Sequence, residues 1–209
     1  MDERHRIEGR AARLRIDNLD TDQIMPKQFL RGIDRSGLAR GVLYDLRFDA
    51  SGQPRPEFVL NQPGPPVRIL LGGANFGCGS SREHAVWGLM QYGIEAVIAP
   101  SYGEIFFSNA VQNRLLLVTL PTDVIEQLVD GDLAIDLERM RVRSGDGFET
   151  AFELGARHRQ KMLTGESDLD MSLREMPAVE AFAQAHWRRH PWLKDVAAVT
   201  RSRIDGTGR

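Results

Sequence analysis

Arg68-Ile69-Leu70-Leu71-Gly72-Gly73-Ala74-Asn75-Phe76-Gly77-Cys78-Gly79-Ser80-Ser81-Arg82-Glu83-His84-Ala85-Val86 is the stretch that decides the fold. An apolar run (Val67, Ile69, Leu70, Leu71) enters a glycine-rich turn. A helical pattern (Ala85, Val86, Leu89, Met90) leaves it, and a second apolar run (Ala96, Val97, Ile98) follows. Strand, turn, helix and strand in that order predict a βαβ unit, hence an α/β fold with a mainly parallel central sheet flanked by helices.

Downstream, a helix is expected over Glu104 to Asn113, and the apolar run Arg114 to Leu120 reads as another buried strand of the same sheet. Pro121-Thr122-Asp123 is expected to open a short helix through Val129, with Thr122 as its N-cap. After Gly131 the apolar period changes to two (Leu133, Ile135, Leu137, then Met140 and Val142). With the turn Gly145-Asp146-Gly147, this predicts a small antiparallel extension. Helical spacing returns from Ala156 and stops at Gly165; a last helix is expected from Pro177 to Arg189, with Val179, Phe182, Ala183 and His186 on one face.

Upstream, Ala12, Leu14 and Ile16 alternate with polar residues, as in a half-buried strand. Asp17-Asn18-Leu19-Asp20-Thr21-Asp22-Gln23 then crowds carboxylates together, read locally as an Asx-type turn capping a short helix near Lys27. Residues 31–66 form a loop-rich insertion punctuated by Gly32, Gly37, Gly41, Gly52, Gly64 and five prolines. Residues 1–10 are expected to be a flexible lead, 11–195 a single domain and 196–209 a tail frayed at its end.

Composition narrows the function classes. The 209 residues carry 42% hydrophobic and 27% charged side chains, as in an ordinary globular protein. A formal net charge of -2 gives no electrostatic reason to expect nucleic acid or an anionic membrane as partner. No apolar run approaches bilayer length and no secretion signal opens the chain, so a cytoplasmic location is expected. One cysteine excludes an internal disulfide and a multi-thiolate metal site within the chain.

Three readings of the glycine-rich turn compete. Ser80-x-x-Glu83 fits a capping box, with Gly77 and Gly79 supplying backbone freedom. A dinucleotide loop fits poorly, because the G-x-G-x-x-G pattern ends in Arg82, and no G-K-[ST] is present. The third is a carboxylate-binding, proton-transfer site: Arg82 offers a planar fork to a carboxylate, and a helix N-terminus favours anions. Local physics ranks capping first, although capping and anion binding can share one turn. For His84 a bond to a backbone carbonyl is the simpler account than a ligand role, and for Cys78 a small buried thiol is simpler than a reactive one.

The same residues carry a family resemblance. Asn75-Phe76-Gly77-Cys78-Gly79-Ser80-Ser81-Arg82-Glu83-His84-Ala85 resembles the signature of the aconitase-type swivelling domain, in particular that of the bacterial 3-isopropylmalate dehydratase small-subunit family. Asn18-Leu19-Asp20-Thr21-Asp22-Gln23-Ile24-Met25-Pro26-Lys27-Gln28-Phe29-Leu30 resembles that family's second hallmark. Tyr92-Gly93-Ile94, Val97-Ile98-Ala99-Pro100-Ser101, Ile105-Phe106, Asn109 and the pattern from Leu163 to Leu173 also match. The resemblance spans roughly Leu14 to Leu193.

What it implies is a swivelling β/β/α domain acting as one subunit of a hydro-lyase. A large subunit would carry a [4Fe-4S] cluster, and the substrate would be a small hydroxy-dicarboxylate, dehydrated and rehydrated in leucine biosynthesis. The resemblance assigns Ser80 as the base that removes the proton beside a carboxylate. Arg82 would bind that carboxylate, and Ser81 would bind substrate or support Ser80. Asp20, Thr21, Asp22 and Lys27 are implied as active-site wall or interface. A methylmalate- or dimethylmalate-type dehydratase and a stand-alone dicarboxylate-binding module are the alternatives.

Overall fold

The computed structural model of the protein describes residues 5–30, 36–129, 131–204 and 206. The chain divides into two compact units, Met1–Gly165 and Glu166–Arg209. In the first, the elements run β1 (Arg6–Arg13), α1 (Thr21–Ile24), α2 (Tyr44–Arg47), β2 (Val67–Leu71), α3 (His84–Tyr92), β3 (Ala96–Ala99), α4 (Glu104–Asn113) and β4 (Leu116–Thr119). There follow α5 (Thr122–Ile125), β5 (Gly131–Asp136), β6 (Arg141–Ser144), β7 (Glu149–Ala151) and α6 (Ala156–Thr164). Among the described residues the strands form one seven-stranded sheet in the order β4-β3-β2-β1-β5-β6-β7.

The expected α/β class is correct. β1 to β4 are parallel neighbours, and β5 to β7 add the antiparallel extension, β5 pairing with β1. Strict alternation buries both faces of the parallel half. Leu70, Val97 and Leu117 point into a core closed by Ala85, Val86 and Leu89 of α3 and Phe106 and Ala110 of α4. Ile69, Leu71, Ala96, Ile98, Leu116 and Val118 point the other way, onto Ile125, Leu128, Phe152 and Met162. Successive strand side chains face opposite sides, and a parallel sheet needs both covered, which is why these strands read as continuous apolar runs.

β1 corrects the expectation at the N-terminus. It starts at Arg6, inside the stretch expected to be a flexible lead, and ends at Arg13 rather than Ile16. The reason is tertiary: β1 is bonded on one side to β2 and on the other to β5, and Ile7 is wholly buried between them. The other part of the lead, residues 1–4, lies outside the described residues, as do residues 31–35 of the insertion.

The remainder of the insertion contains α2 and two 3-10 turns, Leu38–Gly41 and Val59–Asn61. Arg47 and Asn61 tie it together. Arg47 Nε donates to Asn61 Oδ1 (3.2 Å) and Nη1 to Val42 O (3.1 Å), while Asn61 Nδ2 donates to the carbonyls of Arg47 (2.6 Å) and Arg55 (2.9 Å). Side-chain bonds here replace the ladder that a glycine- and proline-rich segment cannot form.

Thr122 is not an N-cap. It is the first residue of α5, Pro121 precedes it, no side chain caps the helix, and the helix ends at Ile125. Proline's fixed φ pre-organises the helix start without needing a donor. Gly165 stops α6 as expected, at φ +70° with its N–H bonded to Lys161 O.

The second unit contains α7 (Asp168–Arg174), α8 (Met176–Arg189), the 3-10 turn Pro191–Leu193 and α9 (Val196–Ile204). Ser167 and Asp170 form a reciprocal capping box at α7. α9 runs into the tail expected to be frayed, since Ala197 and Ala198 favour helix and Val199 N closes onto Asp195 O (2.9 Å). No described helix is long and apolar enough to cross a membrane.

Candidate active site

In an open α/β sheet the loops at the carboxyl ends of parallel strands form the natural crevice. Here three of them meet: residues 14–20 after β1, 72–83 after β2 and 100–103 after β3. They continue the sheet as a narrow seam. Asn18 N donates to Ala74 O (2.8 Å), Gly77 N to Leu19 O (2.7 Å) and Thr21 N to Cys78 O (2.9 Å). On the far side, Phe76 N donates to Ser101 O (3.0 Å) and Gly103 N to Phe76 O (2.9 Å). Side chains reinforce it: Ala74 N donates to Asp17 Oδ1 (2.7 Å), Asn75 N to Ser101 Oγ (2.8 Å) and Asn75 Nδ2 to Asn18 Oδ1 (2.9 Å).

The glycine requirement is steric. Gly77 sits at φ +73°, and a Cβ there would lie 2.3 Å from the Phe106 ring. Phe76 is fully buried and meets Phe106 edge-on at 5.5 Å between centroids, so the turn is pinned by an aromatic pair through which only a bare backbone passes.

The seam brings the two sequence hallmarks side by side. Asp20 caps α1: its Oδ1 accepts from Gln23 N (2.7 Å) and Gln23 Oε1 accepts from Asp20 N (3.1 Å). The helix therefore starts at Thr21, ahead of the position near Lys27 expected from the sequence. That start aims its first turn at the glycine-rich loop. Thr21, 1% exposed, donates from Oγ1 to Ser80 O (3.1 Å), and the same Oγ1 lies 3.0 Å from Ser80 Oγ. Ser80 Oγ donates to Asp22 Oδ1 (3.3 Å). Arg82 Nη1 is ion-paired with the same Oδ1, outside hydrogen-bond geometry, although that nitrogen is buried.

Ser80 does not form the expected capping box. α3 starts four residues later, at His84, with Glu83 at the N-cap in αR conformation and no side-chain cap. Glu83 is engaged elsewhere. Its Oε1 accepts from Asn113 Nδ2 (2.6 Å), and Asn113 Oδ1 accepts from Trp87 Nε1 (3.0 Å). Both halves of the apparent box are drawn off by tertiary partners, which leaves the first N–H groups of α3 with no side-chain cap and favours an anion near that end. Asn113 was not singled out from the sequence. Its signal was its place one turn beyond Asn109, whose Nδ2 reaches Ser81 O (3.5 Å).

The candidates differ in exposure. Ser80 and Ser81 are exposed. Lys27 is exposed on the 3-10 turn Lys27–Phe29, and among the described residues no hydrogen bond or ion pair joins it to Ser80, Asp22 or Arg82. Cys78 is half-buried, and its thiol donates to Asn18 O (3.3 Å). The His84 ring packs against Trp87 at 4.7 Å between centroids. A cleft of about 500 Å³ lined by Arg6, Glu8, Arg68, Asp132 and Arg143 contains none of the candidate residues and is a charged, solvated face of β1, β5 and β6.

No described group of three or more His, Cys, Asp and Glu side chains is arranged to hold a metal ion. The chain's one thiol is committed to a carbonyl, so these residues do not fit a [4Fe-4S] cluster. The arrangement sets an exposed serine hydroxyl beside a partly buried arginine and a helix start with no side-chain cap. It suits a small carboxylate whose neighbouring carbon gives up a proton.

The aconitase C-terminal domain family model matches residues 1–123. The 3-isopropylmalate dehydratase small subunit 1 of Chromobacterium violaceum is 56% identical over 207 residues, covering 95% of this chain and 97% of that one. The 3-isopropylmalate dehydratase small subunit of Phenylobacterium zucineum is 42% identical over 196 residues, covering 90% and 97%. Among solved structures, 3-isopropylmalate dehydratase of Methanocaldococcus jannaschii superposes with a TM-score of 0.62 at 28% identity, covering 84% of this chain and 99% of that one.

Proposed function

We propose a function from one premise: the chain belongs to the 3-isopropylmalate dehydratase small-subunit family, within the aconitase C-terminal domain group. It acts as the small subunit of a two-subunit hydro-lyase that interconverts 2-isopropylmalate and 3-isopropylmalate by dehydration and rehydration, in the cytoplasm, during leucine biosynthesis. The observation that carries the reading is the junction of the two hallmarks, with Ser80, Asp22 and Arg82 gathered at one carboxylate oxygen.

In this proposal Arg82 binds a substrate carboxylate with its planar fork and holds the extra negative charge that develops on it. The uncapped start of α3 adds partial positive charge to the same region. Ser80 Oγ, as alkoxide, takes the proton from the carbon beside that carboxylate. The C–H electron pair becomes the new C=C bond, and the hydroxyl on the neighbouring carbon leaves with the C–O electron pair and takes up a proton from solvent to become water. Rehydration reverses the sequence with the hydroxyl on the other carbon. Ser81 lines the substrate side. Asp20, Thr21, Asp22 and Lys27 form the wall nearest the large subunit.

A [4Fe-4S] cluster belongs to that large subunit in this reading; the described residues of this chain supply no ligand set for it. The test is to co-purify the chain with its large subunit and assay interconversion of the two isopropylmalates beside methylmalate- and dimethylmalate-type substrates. Turnover confined to isopropylmalate is expected. Turnover of a sister substrate with none on isopropylmalate overturns the specificity. Tight dicarboxylate binding by the chain alone, with no turnover in any complex, overturns the enzyme assignment.

A further inference from the structure

The hydroxyl of Thr21 stands in an arrangement that neither hallmark explains by itself. Thr21 is the first residue of α1, is 1% exposed, and comes from 59 positions away to meet Ser80. One hydroxyl carries one proton, yet Thr21 Oγ1 has two acceptors within reach, Ser80 O at 3.1 Å and Ser80 Oγ at 3.0 Å. In neutral Ser80 the proton on Oγ is directed to Asp22 Oδ1 at 3.3 Å, so Thr21 directs its own to the Ser80 carbonyl.

Ionisation of Ser80 changes that pattern. An alkoxide has no proton to give Asp22, and the two negative oxygens then repel. The alkoxide needs a donor, and a hydroxyl rotor already 3.0 Å away supplies one by turning about its C–O bond. No backbone movement is required, and the Ser80 carbonyl that loses the donor lies in an exposed residue where water replaces it. Burial holds the Thr21 side chain in place, so the donor is pre-organised and the cost of orienting it is met in folding.

We infer that Thr21 is a positioning residue whose hydroxyl switches from Ser80 O to Ser80 Oγ when Ser80 ionises, stabilising the alkoxide. The inference rests on the reading of Ser80 as the base. It separates three neighbouring residues of the second hallmark: Asp20 caps the helix, Asp22 holds Arg82, and Thr21 serves the charge on Ser80.

The test uses the complex with the large subunit and four forms of this chain: wild type, Thr21→Val, Thr21→Ser and Ser80→Ala. Valine keeps the shape of threonine and removes the donor. Its kcat is expected to fall about 10- to 100-fold, the scale of one hydrogen bond to a charged group. KM is expected to stay within about twofold of wild type, because this hydroxyl does not touch the substrate. The pH at which kcat rises is expected to move upward, since the alkoxide forms less readily. Thr21→Ser restores the donor and is expected to recover both rate and pH profile. A wild-type kcat and pH profile in Thr21→Val overturns the inference, and so does a serine variant as impaired as the valine one. Failure of the valine variant to assemble where the serine variant assembles assigns Thr21 to folding and also overturns it. Ser80→Ala separates the two levels: if that variant keeps turnover the base assignment itself fails, whereas an inactive Ser80→Ala beside an unaffected Thr21→Val removes only the role of Thr21.

Discussion

Asp20-Thr21-Asp22-Gln23 and Ser80-Ser81-Arg82-Glu83 carry the same local pattern, a capping side chain followed three residues later by Gln or Glu, and they lie against each other in the fold. The first closes its box and starts a helix at the next residue. The second leaves its box open, and its helix starts only at His84. The difference lies in what competes for the side chains. Asp20 and Gln23 bond each other. Ser80 is claimed by Thr21 and Asp22, and Glu83 by Asn113. The closed box thereby aims the very residues that keep the other one open. A local rule satisfied at one segment and overridden at its neighbour is the pattern expected where function outranks local stability.

The comparison breaks most visibly at Ser80. Ser80→Ala in the assembled enzyme is expected to lower kcat by roughly 10²- to 10⁴-fold, the range of a general base. Its thermal stability should change by less than about 1 kcal/mol, since no helix cap is lost and the bonds removed are those of an exposed side chain. A melting shift typical of a lost cap, with turnover retained, would make the two segments alike and remove the contrast.

Arg82→Lys sharpens the same side. An ammonium keeps the ion pair with Asp22 but not the planar fork, so KM is expected to rise about tenfold. Steady-state kinetics with unchanged KM and kcat would count against a carboxylate on Arg82.

Asp20→Ala probes the closed box and should act chiefly on stability, by about 1 kcal/mol in chemical or thermal unfolding. Some turnover should go with it, because the cap sets the position of Thr21 and Asp22. A stability loss with full turnover would show that α1 holds its course without the cap.

The smallest effect concerns a second closed box, Ser167 and Asp170 in the C-terminal unit. The Ser167 hydroxyl holds the Asp170 carboxyl below its ordinary value, followed by the Ser167 backbone N–H, against slight desolvation. A depressed carboxyl contributes its stabilisation above the ordinary carboxylate pKa and loses it as pH falls through the folded value. A helix signal that declines slightly more on acidification below about pH 4 in wild type than in Asp170→Asn is expected by circular dichroism. Identical acid titrations would mean that the carboxylate does not support α7.

Much of the parallel sheet was legible because its evidence is local. Ile69 and Leu71 against Leu70, or Ala96 and Ile98 against Val97, state both buried faces within a few residues. Glu104–Asn113 was legible to the residue, and Gly165 stops α6 where glycine is suited to stop it. The start of β1 was hidden because Arg6, Glu8 and Arg10 look like a solvated lead until β2 and β5 flank them. The open box at Ser80 was hidden for a related reason: the competitors for Ser80 lie 58 and 59 residues back in the chain and the one for Glu83 lies 30 residues ahead, and no reading of Ser80-x-x-Glu83 alone can weigh them. What the sequence did offer was two hallmarks in the right order. Their meeting, and the choice of Oδ1 of Asp22 as the shared atom, come from the fold.

The proton removal proposed for Ser80 is tested most directly by solvent deuterium entering the substrate carbon beside the carboxylate, with the assembled enzyme in heavy water. Wild type is expected to incorporate deuterium at that carbon, and Ser80→Ala, assembled to the same extent, to show none above background. Incorporation by Ser80→Ala at the wild-type rate would place the base elsewhere and contradict the account.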